Sequence, residues 1–421
     1  MQLDQTDPVV QRVKQNLTDV LGDGLQQTSY VLAVSGGGDS IAMLHALAAF
    51  LPTARLTVVS VNHNLRAEAA DELALVERIC SDYGLVWRCE DWTWDGTGNL
   101  QAAAREGRWA ALKSVVQDQG DSCVLVGHTE DDQIETFLLR LARGSGVDGL
   151  AAMPMRSVRD GVPVIRPLLT LGRDELRSWL SGHGLDWADD PSNQDSRFAR
   201  VQARQMMAQL DTLGLTRKRI LQTVQHMQSA AQSLNTAVRQ FVETRCWTEC
   251  GDVIIPLTND VLDDQELLPR TVAKAIQWVG GETFKPRYQS LMTAISDALE
   301  GKQRTLSGCV LYRKNNDLRI GREVSAVEGF KPIEGVSSFG WDGRWRLSTV
   351  SGGAADRVRA LKEDGLAQCP NWRDCGIPRD TLLTTPSLWA DDTLIAAPIA
   401  GYGSGWTARI DAEFADWLVT H

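Results

Sequence analysis

Hydrophobic and polar positions in the first half of the chain follow two alternating patterns. Short, nearly continuous apolar runs predict four buried strands, at residues 30–34, 56–61, 86–89 and 123–127. Helical periodicity after each run predicts four helices, over residues 39–50, 67–83, 101–117 and 129–142. Continuous apolar strands that alternate with helices are typical of a parallel sheet covered on both faces. We therefore expect a doubly wound α/β domain, which binds ligands beyond the carboxyl ends of its strands.

The second half of the chain carries different patterns. Residues 144–167 are rich in Gly and Pro and are predicted to form a loop region, followed by a short helix at 174–181. A long helix is predicted over 218–243, because apolar residues recur there every three or four positions. We expect this apolar stripe to pack within the chain, although its heptad-like spacing leaves a homodimer open.

Beyond the long helix, the patterns predict a mixed region and then a strand-rich one. Two helices are expected near 271–279 and 287–299, and a hairpin joins strands at 309–313 and 318–321. The last part of the chain has many turns and tryptophans. We predict three domains, namely a doubly wound domain at 1–210, a helical and mixed domain at 211–325 and a strand-rich domain at 326–421.

Composition places the chain among ordinary globular proteins. It has 421 residues, of which 43% are hydrophobic and 23% charged. No apolar run approaches the roughly 20 residues that cross a bilayer, and the polar start with Asp4 and Asp7 does not resemble a secretory signal. The closer cysteine pairs lack the spacing of zinc or redox sites. We expect a cytoplasmic protein that has no membrane partner, disulfide framework or structural metal.

The charge distribution is uneven. The formal net charge of −11 disfavours a nucleic-acid partner. Residues 197–245, however, carry eight Lys or Arg against two acidic residues. This basic segment either contacts nucleic-acid phosphates or forms a solvated helix face.

The first candidate site is a glycine-rich loop between the first strand and the helix after it. The loop consists of Ser35, Gly36, Gly37, Gly38, Asp39 and Ser40. Glycines let backbone N–H groups surround an anion, and the helix N-terminus adds partial positive charge. Ser35 and Ser40 can donate hydroxyl groups to the same phosphates. No Lys follows the glycines, so the loop is not a Walker P-loop. We assign Asp39 to Mg²⁺ or to capping of the helix, and expect it to be exposed.

The second candidate site follows the fourth strand, at residues 127–136. Thr129 is predicted to cap the next helix, with acidic residues in its first turn. Capping accounts for Glu130 and for Asp131, but it does not need both Asp132 and Glu135. These two carboxylates lie three positions apart on one helix face, where they can hold Mg²⁺ or an ammonium group. Because both loops leave the same sheet edge, we expect the two sites to form one.

These segments resemble a known family. The loop SGGGDS matches the SGGxDS signature of the PP-loop ATP pyrophosphatases, which cleave ATP to AMP and pyrophosphate. Further segments resemble the tRNA(Ile)-lysidine synthetases of this superfamily, namely VNHNLR at 61–66, GHTEDDQIET at 127–136, IRPLL at 165–169 and DPSN at 190–193. The resemblance is specific over about residues 28–205 and weaker beyond. Thr129 departs from the family, which often has a second His there, and the basic stretch at 197–204 is less rich in arginine.

The resemblance implies a reaction and its substrates. ATP would adenylate the C2 oxygen of the wobble cytidine of tRNA(Ile) with a CAU anticodon. The ε-amine of L-lysine would then displace AMP, giving lysidine, AMP and pyrophosphate. The first domain would be catalytic and the second would contact tRNA.

The resemblance also implies roles for individual residues. Residues 35–40 would bind ATP, Asp39 would hold Mg²⁺, and Asp131, Asp132 and Glu135 would hold lysine or Mg²⁺. The catalytic candidates are Asp39, His63, Arg66, Arg105, Asp132 and Glu135. The candidates for contact with tRNA are Arg140, Arg143, Arg197, Arg200 and Arg204.

Three other functions remain in competition with this interpretation. An amide-forming synthetase that is supplied by glutamine is disfavoured because no glutaminase signature appears. A tRNA thiolase on the same fold is disfavoured because Cys80, Cys89 and Cys123 lack the spacing of a catalytic pair. A non-catalytic protein that senses nucleotide or binds RNA would not require Asp39, Asp132 and Glu135.

Overall fold

The computed structural model describes residues 3–62, 69–120, 122–188, 199–281, 285–333, 337–349 and 355–420, with the backbone alone at 199–201, 208 and 420. The chain divides into two compact units, with the boundary between Ala231 and Gln232. The division into three domains stays a prediction.

The first unit alternates helices and strands. Its elements are α1 (Pro8–Leu21), β1 (Ser29–Ala33), α2 (Gly38–Ala48), β2 (Leu56–Asn62), α3 (Ala69–Tyr83), β3 (Val86–Asp91), α4 (Leu100–Gln119), β4 (Ser122–Val126), α5 (Glu130–Leu141), α6 (Val147–Leu150), β5 (Arg156–Arg159), β6 (Val162–Ile165), α7 (Arg173–Gly182) and α8 (Ala199–Thr212). The four strands and five helices predicted for this unit are all present.

One sheet organises the first unit. Its strand order is β3-β2-β1-β4-β6-β5, in which β5 runs antiparallel at the edge and the other five strands are parallel. The predicted doubly wound α/β fold is thereby confirmed. The last residues of β1 and β4, Ala33 and Val126, are paired in register. The loops that follow these two strands therefore leave the sheet side by side.

Burial of α2 fixes where the first of these loops points. This helix is apolar on nearly all faces, and Ile41, Met43, Leu44 and Leu47 have no solvent exposure. It packs against α1 and α7 as well as the sheet. Because a fully buried helix has little freedom to shift, its N-terminal end gives the glycine-rich loop a fixed support.

Five elements of the first unit, namely α1, α6, β5, β6 and α8, were not predicted from the sequence. Strands β5 and β6 form a hairpin inside 144–167, where a loop was predicted, and Asp160 and Gly161 make its turn with positive φ angles. Each strand has four residues, too few to show a clear alternation. Helix α1 was not predicted, although Asp7 caps it and Pro8 opens it, both of which are helix start signals.

Helix α9 (Arg217–Arg245) begins in the first unit and ends in the second. Near its start, Ile220 and Val224 pack in a cluster with Ile134 and Phe137. Near its end, Val238 belongs to the core of the second unit. The predicted apolar stripe therefore packs within the chain, as expected. Among the residues that the structure describes, no helix is long and apolar enough to span a membrane.

The second unit is built from three antiparallel sheets and several helices. Its elements are β7 (Trp247–Glu249), β8 (Asp252–Pro256), α10 (Asn259–Asp263), α11 (Leu267–Gly280), α12 (Tyr288–Leu299), β9 (Arg304–Leu306), β10 (Cys309–Lys314), β11 (Asp317–Arg322), β12 (Lys331–Pro332), β13 (Ser338–Trp341), β14 (Trp345–Thr349), β15 (Arg357–Ala360), α13 (Lys362–Leu366), α14 (Arg379–Leu383), β16 (Pro386–Ala390), β17 (Thr393–Ala396), β18 (Trp406–Ile410) and α15 (Phe414–Thr420). The sheets have the orders β7-β8-β11-β10-β9, β12-β15-β16-β17 and β13-β14-β18. The predicted hairpin is β10–β11, with Asn315 at positive φ in its turn.

Candidate active site

The glycine-rich loop is held by its own serines and by close backbone packing. The hydroxyl of Ser40 donates to the carbonyl of Gly37 at 2.8 Å and accepts from the backbone N–H of Ser35 at 3.2 Å. Gly36 has a φ of 89°, and a Cβ there would lie 3.2 Å from the carbonyl oxygen of Glu72. A side chain at Gly36 would therefore be strained in conformation and short of space.

The structure decides one of the two roles considered for Asp39. Helix α2 begins at Gly38, its N-cap is Gly37, and no side chain caps it, so Asp39 does not cap the helix. The side chain of Asp39 is 23% exposed, which makes it partly buried rather than exposed as we expected. The position in the first turn of α2 keeps it next to the backbone of the glycine-rich loop.

The two predicted loops are in direct contact. A Cβ at Gly127 would lie 3.2 Å from both the carbonyl oxygen of Asp39 and the Cα of Ser40. Glycine therefore allows the loop after β4 to approach the backbone of the loop after β1. The backbones of the two segments are therefore in contact, as the prediction of a single site requires.

Asp132 has a structural role that the sequence prediction underestimated. Its Oδ2 accepts the backbone N–H of Thr129 at 2.8 Å and the hydroxyl of Thr129 at 3.0 Å. Asp132 is thus the N3 residue of a capping box at the start of α5, in which Thr129 is the N-cap. One of its two oxygens stabilises the helix start, and the other, Oδ1, faces the site.

Asp131 is bound on both of its oxygens. Oδ2 accepts the backbone N–H of Arg173 at 2.8 Å, and Oδ1 accepts Nη1 of Arg217 at 2.8 Å. Burial acts to raise its pKa, but the hydrogen bonds from Arg217 and Arg173 outweigh burial and lower it. Asp131 is therefore a carboxylate that anchors the first turn of α7.

Glu135 is the most deeply buried of these carboxylates. It is 2% exposed, and its Oε1 accepts Nε of Arg204. No hydrogen bond from the described residues reaches its Oε2. A buried acceptor without a donor costs roughly 1–3 kcal/mol, so Oε2 is suited to receive a donor from a ligand.

Arg173 joins these groups and was not predicted from the sequence. Its Nε lies 3.0 Å from Oδ2 of Asp39, its Nη2 lies 3.6 Å from Oδ1 of Asp132, and its Nη1 lies 3.6 Å from Oε1 of Glu135. Arg173 is the first residue of α7, where the helix dipole disfavours a cation. A cation at that position was the signal in the sequence that could have drawn attention to it.

The charges of the cluster depend on one another. We call Asp39, Asp131, Asp132 and Glu135 the acidic cluster. Burial raises the pKa of Asp39, and the nearby Asp132 and Asp131 raise it too, while Arg173 opposes them and the pKa remains raised. For Arg173, burial lowers the pKa, but Asp39, Asp132 and Glu135 together raise it. Arg173 is therefore the cation that opposes the effect of burial on the pKa of Asp39.

A second group of cations lies at the carboxyl edge of the sheet. Arg166 follows β6, and burial together with the charge of Arg105 lowers its pKa to about 10. Two arginines close enough to repel each other favour an anionic ligand. Among the described residues no hydrogen bond or ion pair joins Arg105 to the acidic cluster.

The other predicted residues fall in different places. His63, Arg66 and Arg197 lie outside the described residues, and only the backbone of Arg200 is described, within α8. Nη1 of Arg140 donates to the carbonyls of Gly149 and Ala152 at 3.0 and 2.8 Å, and Arg143 is exposed. Arg204 pairs with Glu135, so in this structure it belongs with the acidic cluster. Assignment of these arginines to an RNA interface stays a prediction.

The residues fit a magnesium ion that is shared with phosphate. In the part of the chain that the structure describes, no three His, Cys, Asp or Glu side chains form a metal-binding group. Mg²⁺ usually takes one or two protein carboxylates and completes its shell with phosphates and water. Asp39, on the glycine-rich loop, would supply one such carboxylate.

Comparison with known proteins agrees with this geometry. Residues 8–210 match the PP-loop domain family, which defines the first unit as a PP-loop domain. The chain is 39% identical to the tRNA(Ile)-lysidine synthase of Ruegeria pomeroyi, covering 92% of this chain and 93% of that protein. It is 30% identical to the tRNA(Ile)-lysidine synthase of Wolbachia pipientis, covering 88% of each chain. The chain belongs to the tRNA(Ile)-lysidine synthase family.

The solved structures include more distant similarities. The U34-tRNA thiolase from Methanococcus maripaludis with its [4Fe-4S] cluster is 18% identical, with a TM-score of 0.43 over 54% of this chain and 79% of that one.

Proposed function

We propose that this chain is a ligase that joins the ε-amine of L-lysine to C2 of the wobble cytidine of tRNA(Ile), using ATP. The observation that carries the proposal is the close approach of Gly127 to the glycine-rich loop, together with the position of Arg173 between Asp39 and the carboxylates of α5. This arrangement supports a site for polyphosphate beside a site for a cation. Similarity to tRNA(Ile)-lysidine synthases over nearly the whole chain supports the choice of substrates. The substrates imply a cytoplasmic location.

Activation of the base is the first chemical step. The C2 oxygen of cytidine attacks the α-phosphorus of ATP, and pyrophosphate leaves. An oxygen bound to C2 is a poor leaving group, whereas the AMP formed on it is a good one. The backbone N–H groups of the loop and the hydroxyl of Ser35 hold the departing phosphates, since the hydroxyl of Ser40 already donates to the carbonyl of Gly37. Mg²⁺ on Asp39 would neutralise charge on the phosphates, and Arg105 and Arg166 provide further positive charge.

Attack by lysine is the second step. The ε-amine attacks C2, AMP leaves with the electrons of the C2–O bond, and one proton of the amine must be accepted. Glu135 is the carboxylate that we assign to the amine, because its Oε2 has no donor from the described residues. Asp132 contributes Oδ1, since its Oδ2 is engaged in the capping box.

The test is the requirement for both substrates. Multiple-turnover release of pyrophosphate from ATP should need tRNA(Ile) with a CAU anticodon and L-lysine together. Equal release without RNA would contradict the proposal. A homodimer, which the spacing in α9 left open, stays a prediction to be checked by the mass of the protein in solution.

The role of Glu135 can be separated from the role of the nucleotide loop. Glu135→Gln should raise KM for lysine about tenfold or more, because one charge-assisted contact contributes about 1.5–3 kcal/mol. It should still release one pyrophosphate per enzyme in a burst with ATP and tRNA. Glu130→Gln, on the same helix and paired with Arg217, is the matched control and should leave KM for lysine unchanged. Loss of the burst in Glu135→Gln would place Glu135 in the first step instead.

A further inference from the structure

Arg173 lies between the two parts of the candidate active site. Its guanidinium approaches Asp39 on the nucleotide loop and, on the other side, Asp132 and Glu135 of α5. The last two are the carboxylates assigned to the ammonium group of lysine. A resident cation therefore occupies the position that the proposed function gives to a substrate cation.

The contacts of Arg173 are unequal. Its Nε is 3.0 Å from Asp39 and forms a hydrogen bond, whereas the distances of 3.6 Å to Asp132 and Glu135 are too long for one. The contacts with Asp132 and Glu135, which have to be released before lysine binds, are thus weaker than the contact with Asp39. Guanidinium groups bind phosphate in two parallel hydrogen bonds, so phosphates on the adjacent loop compete well for this side chain.

The main chain of α7 need not move for such an exchange. The backbone N–H of Arg173 is fixed by Oδ2 of Asp131 at 2.8 Å, and Asp131 is in turn held by Arg217. The first turn of α7 is therefore anchored separately from the Arg173 side chain. Rotation of one side chain is enough to transfer its charge from the carboxylates to the nucleotide.

We propose that Arg173 makes the binding of lysine conditional on bound ATP. The phosphates draw its guanidinium away from Asp132 and Glu135, and the ammonium group of lysine takes its place. The exchange replaces one monovalent cation by another, so the carboxylates remain compensated, and Oε2 of Glu135 gains a donor. Arg173 is a positioning residue in this scheme, and the inference rests on the proposed function.

The test measures lysine binding rather than turnover. Binding of L-lysine to the full chain is measured by calorimetry without tRNA, with and without Mg²⁺ and α,β-methylene-ATP. For the wild type we expect lysine to bind at least about tenfold more tightly when the nucleotide analogue is present. Arg173→Met should bind lysine more tightly than the wild type in the absence of nucleotide, and the gain from nucleotide should fall to about twofold or less.

Two further variants separate this role from a structural one. Arg173→Lys keeps a cation at the site and should keep part of the dependence on nucleotide. Arg12→Met removes an arginine of α1 that pairs with Glu175 of α7, the helix that carries Arg173. This variant should behave as the wild type. If Arg173 served the fold alone, its removal would weaken lysine binding both with and without nucleotide. It would also lower the melting temperature, which is measured for each variant.

The possible outcomes distinguish the inference from the proposed function. Lysine that binds the wild type equally well with and without the analogue overturns the inference and leaves the proposed function intact. Full dependence on nucleotide in Arg173→Met also overturns it. Absence of lysine binding to the wild type in every condition contradicts the proposed function, and the inference then fails with it.

Discussion

The carboxylates of the acidic cluster are compensated in different ways. Asp131 is bound on both oxygens and Asp132 on one by the capping box, whereas Asp39 depends on the side chain of Arg173. Asp39 and Glu135 are therefore the two that can change partner without loosening a helix start. This difference decides which substitutions report on chemistry and which report on stability.

Substitution of Asp39 should affect chemistry more than folding. Asp39→Asn keeps the shape of the side chain but removes its charge, and Arg173 keeps Asp132 and Glu135 as partners. We expect pyrophosphate release to fall about 100-fold or more, the usual cost of removing one electrostatic contact to a transition state. Asp19→Asn, at an exposed position of α1, is the control. Turnover of Asp39→Asn near that of the wild type would show that the loop has another role.

His45 should make stability depend on pH. It is 4% exposed on α2, with Nδ1 2.9 Å from the hydroxyl of Tyr83, and burial lowers its pKa from 6.5 to about 4. Between these values the unfolded chain binds a proton that the folded chain does not, so the free energy of unfolding falls as pH falls. At pH 5 the loss is about 2 kcal/mol.

The measurement compares urea unfolding at pH 7.5 and pH 5. His45→Gln should lose less stability over this interval than the wild type does. His226→Gln, at an exposed position of α9, should follow the wild type. Equal losses in all three proteins would mean that protonation of His45 does not contribute.

At the scale of elements, the site depends on a close approach of two loops. Gly127→Ala would place a methyl group 3.2 Å from the backbone at Asp39 and Ser40, and such overpacking costs about 1–3 kcal/mol. We expect a lower melting temperature. We also expect the displaced loop to weaken ATP binding about tenfold, which corresponds to a loss of about 1.4 kcal/mol in binding free energy.

A matched control exists on α7. At Gly182, a Cβ would meet no atom within 4 Å, so Gly182→Ala should be neutral or slightly stabilising. Equal ATP affinities in the two variants would indicate that the loops can separate without consequence.

The elements that position the site could be predicted, because each has a local signal. The apolar runs of β1 and β4 and the glycines after β1 are visible in the sequence and place the two loops at one sheet edge. Asp39, Asp132 and Glu135 follow from that placement. The β5–β6 hairpin has a turn signal in Asp160-Gly161, but each strand has four residues and Pro163 interrupts the second, so no alternating pattern indicated the strands.

The partners of Arg173 and Arg217 could not be predicted, because they arise from tertiary contact. Arg173 begins a helix distant in sequence from Asp39, and Arg217 begins another, yet both reach the acidic cluster. The same reason explains Arg204, which the resemblance to the family assigned to RNA and which pairs with Glu135. Local patterns identify the carboxylates of a site but not the cations that compensate them.

At the scale of the whole molecule, an acidic chain has to bind a polyanion. The net charge of −11 opposes binding of tRNA, so local basic residues must provide the attraction. Charge reversal at Arg204 cannot test this cleanly, because it would place a carboxylate against Glu135. Arg143, exposed after α5, and Arg200, on α8, are better positions.

Arg143→Glu and Arg200→Glu should each weaken tRNA binding. Each should also lower the slope of log affinity against log salt by about one, the effect of losing one phosphate contact. ATP binding should be unchanged. Arg55→Glu makes the same change in charge, but Arg55 precedes β2 and lies at the amino edge of the sheet, opposite the site. If Arg55→Glu lowers tRNA affinity as much as the other two variants do, net charge governs binding. If the salt dependence is unchanged in Arg143→Glu and Arg200→Glu, these two arginines do not lie in the RNA interface.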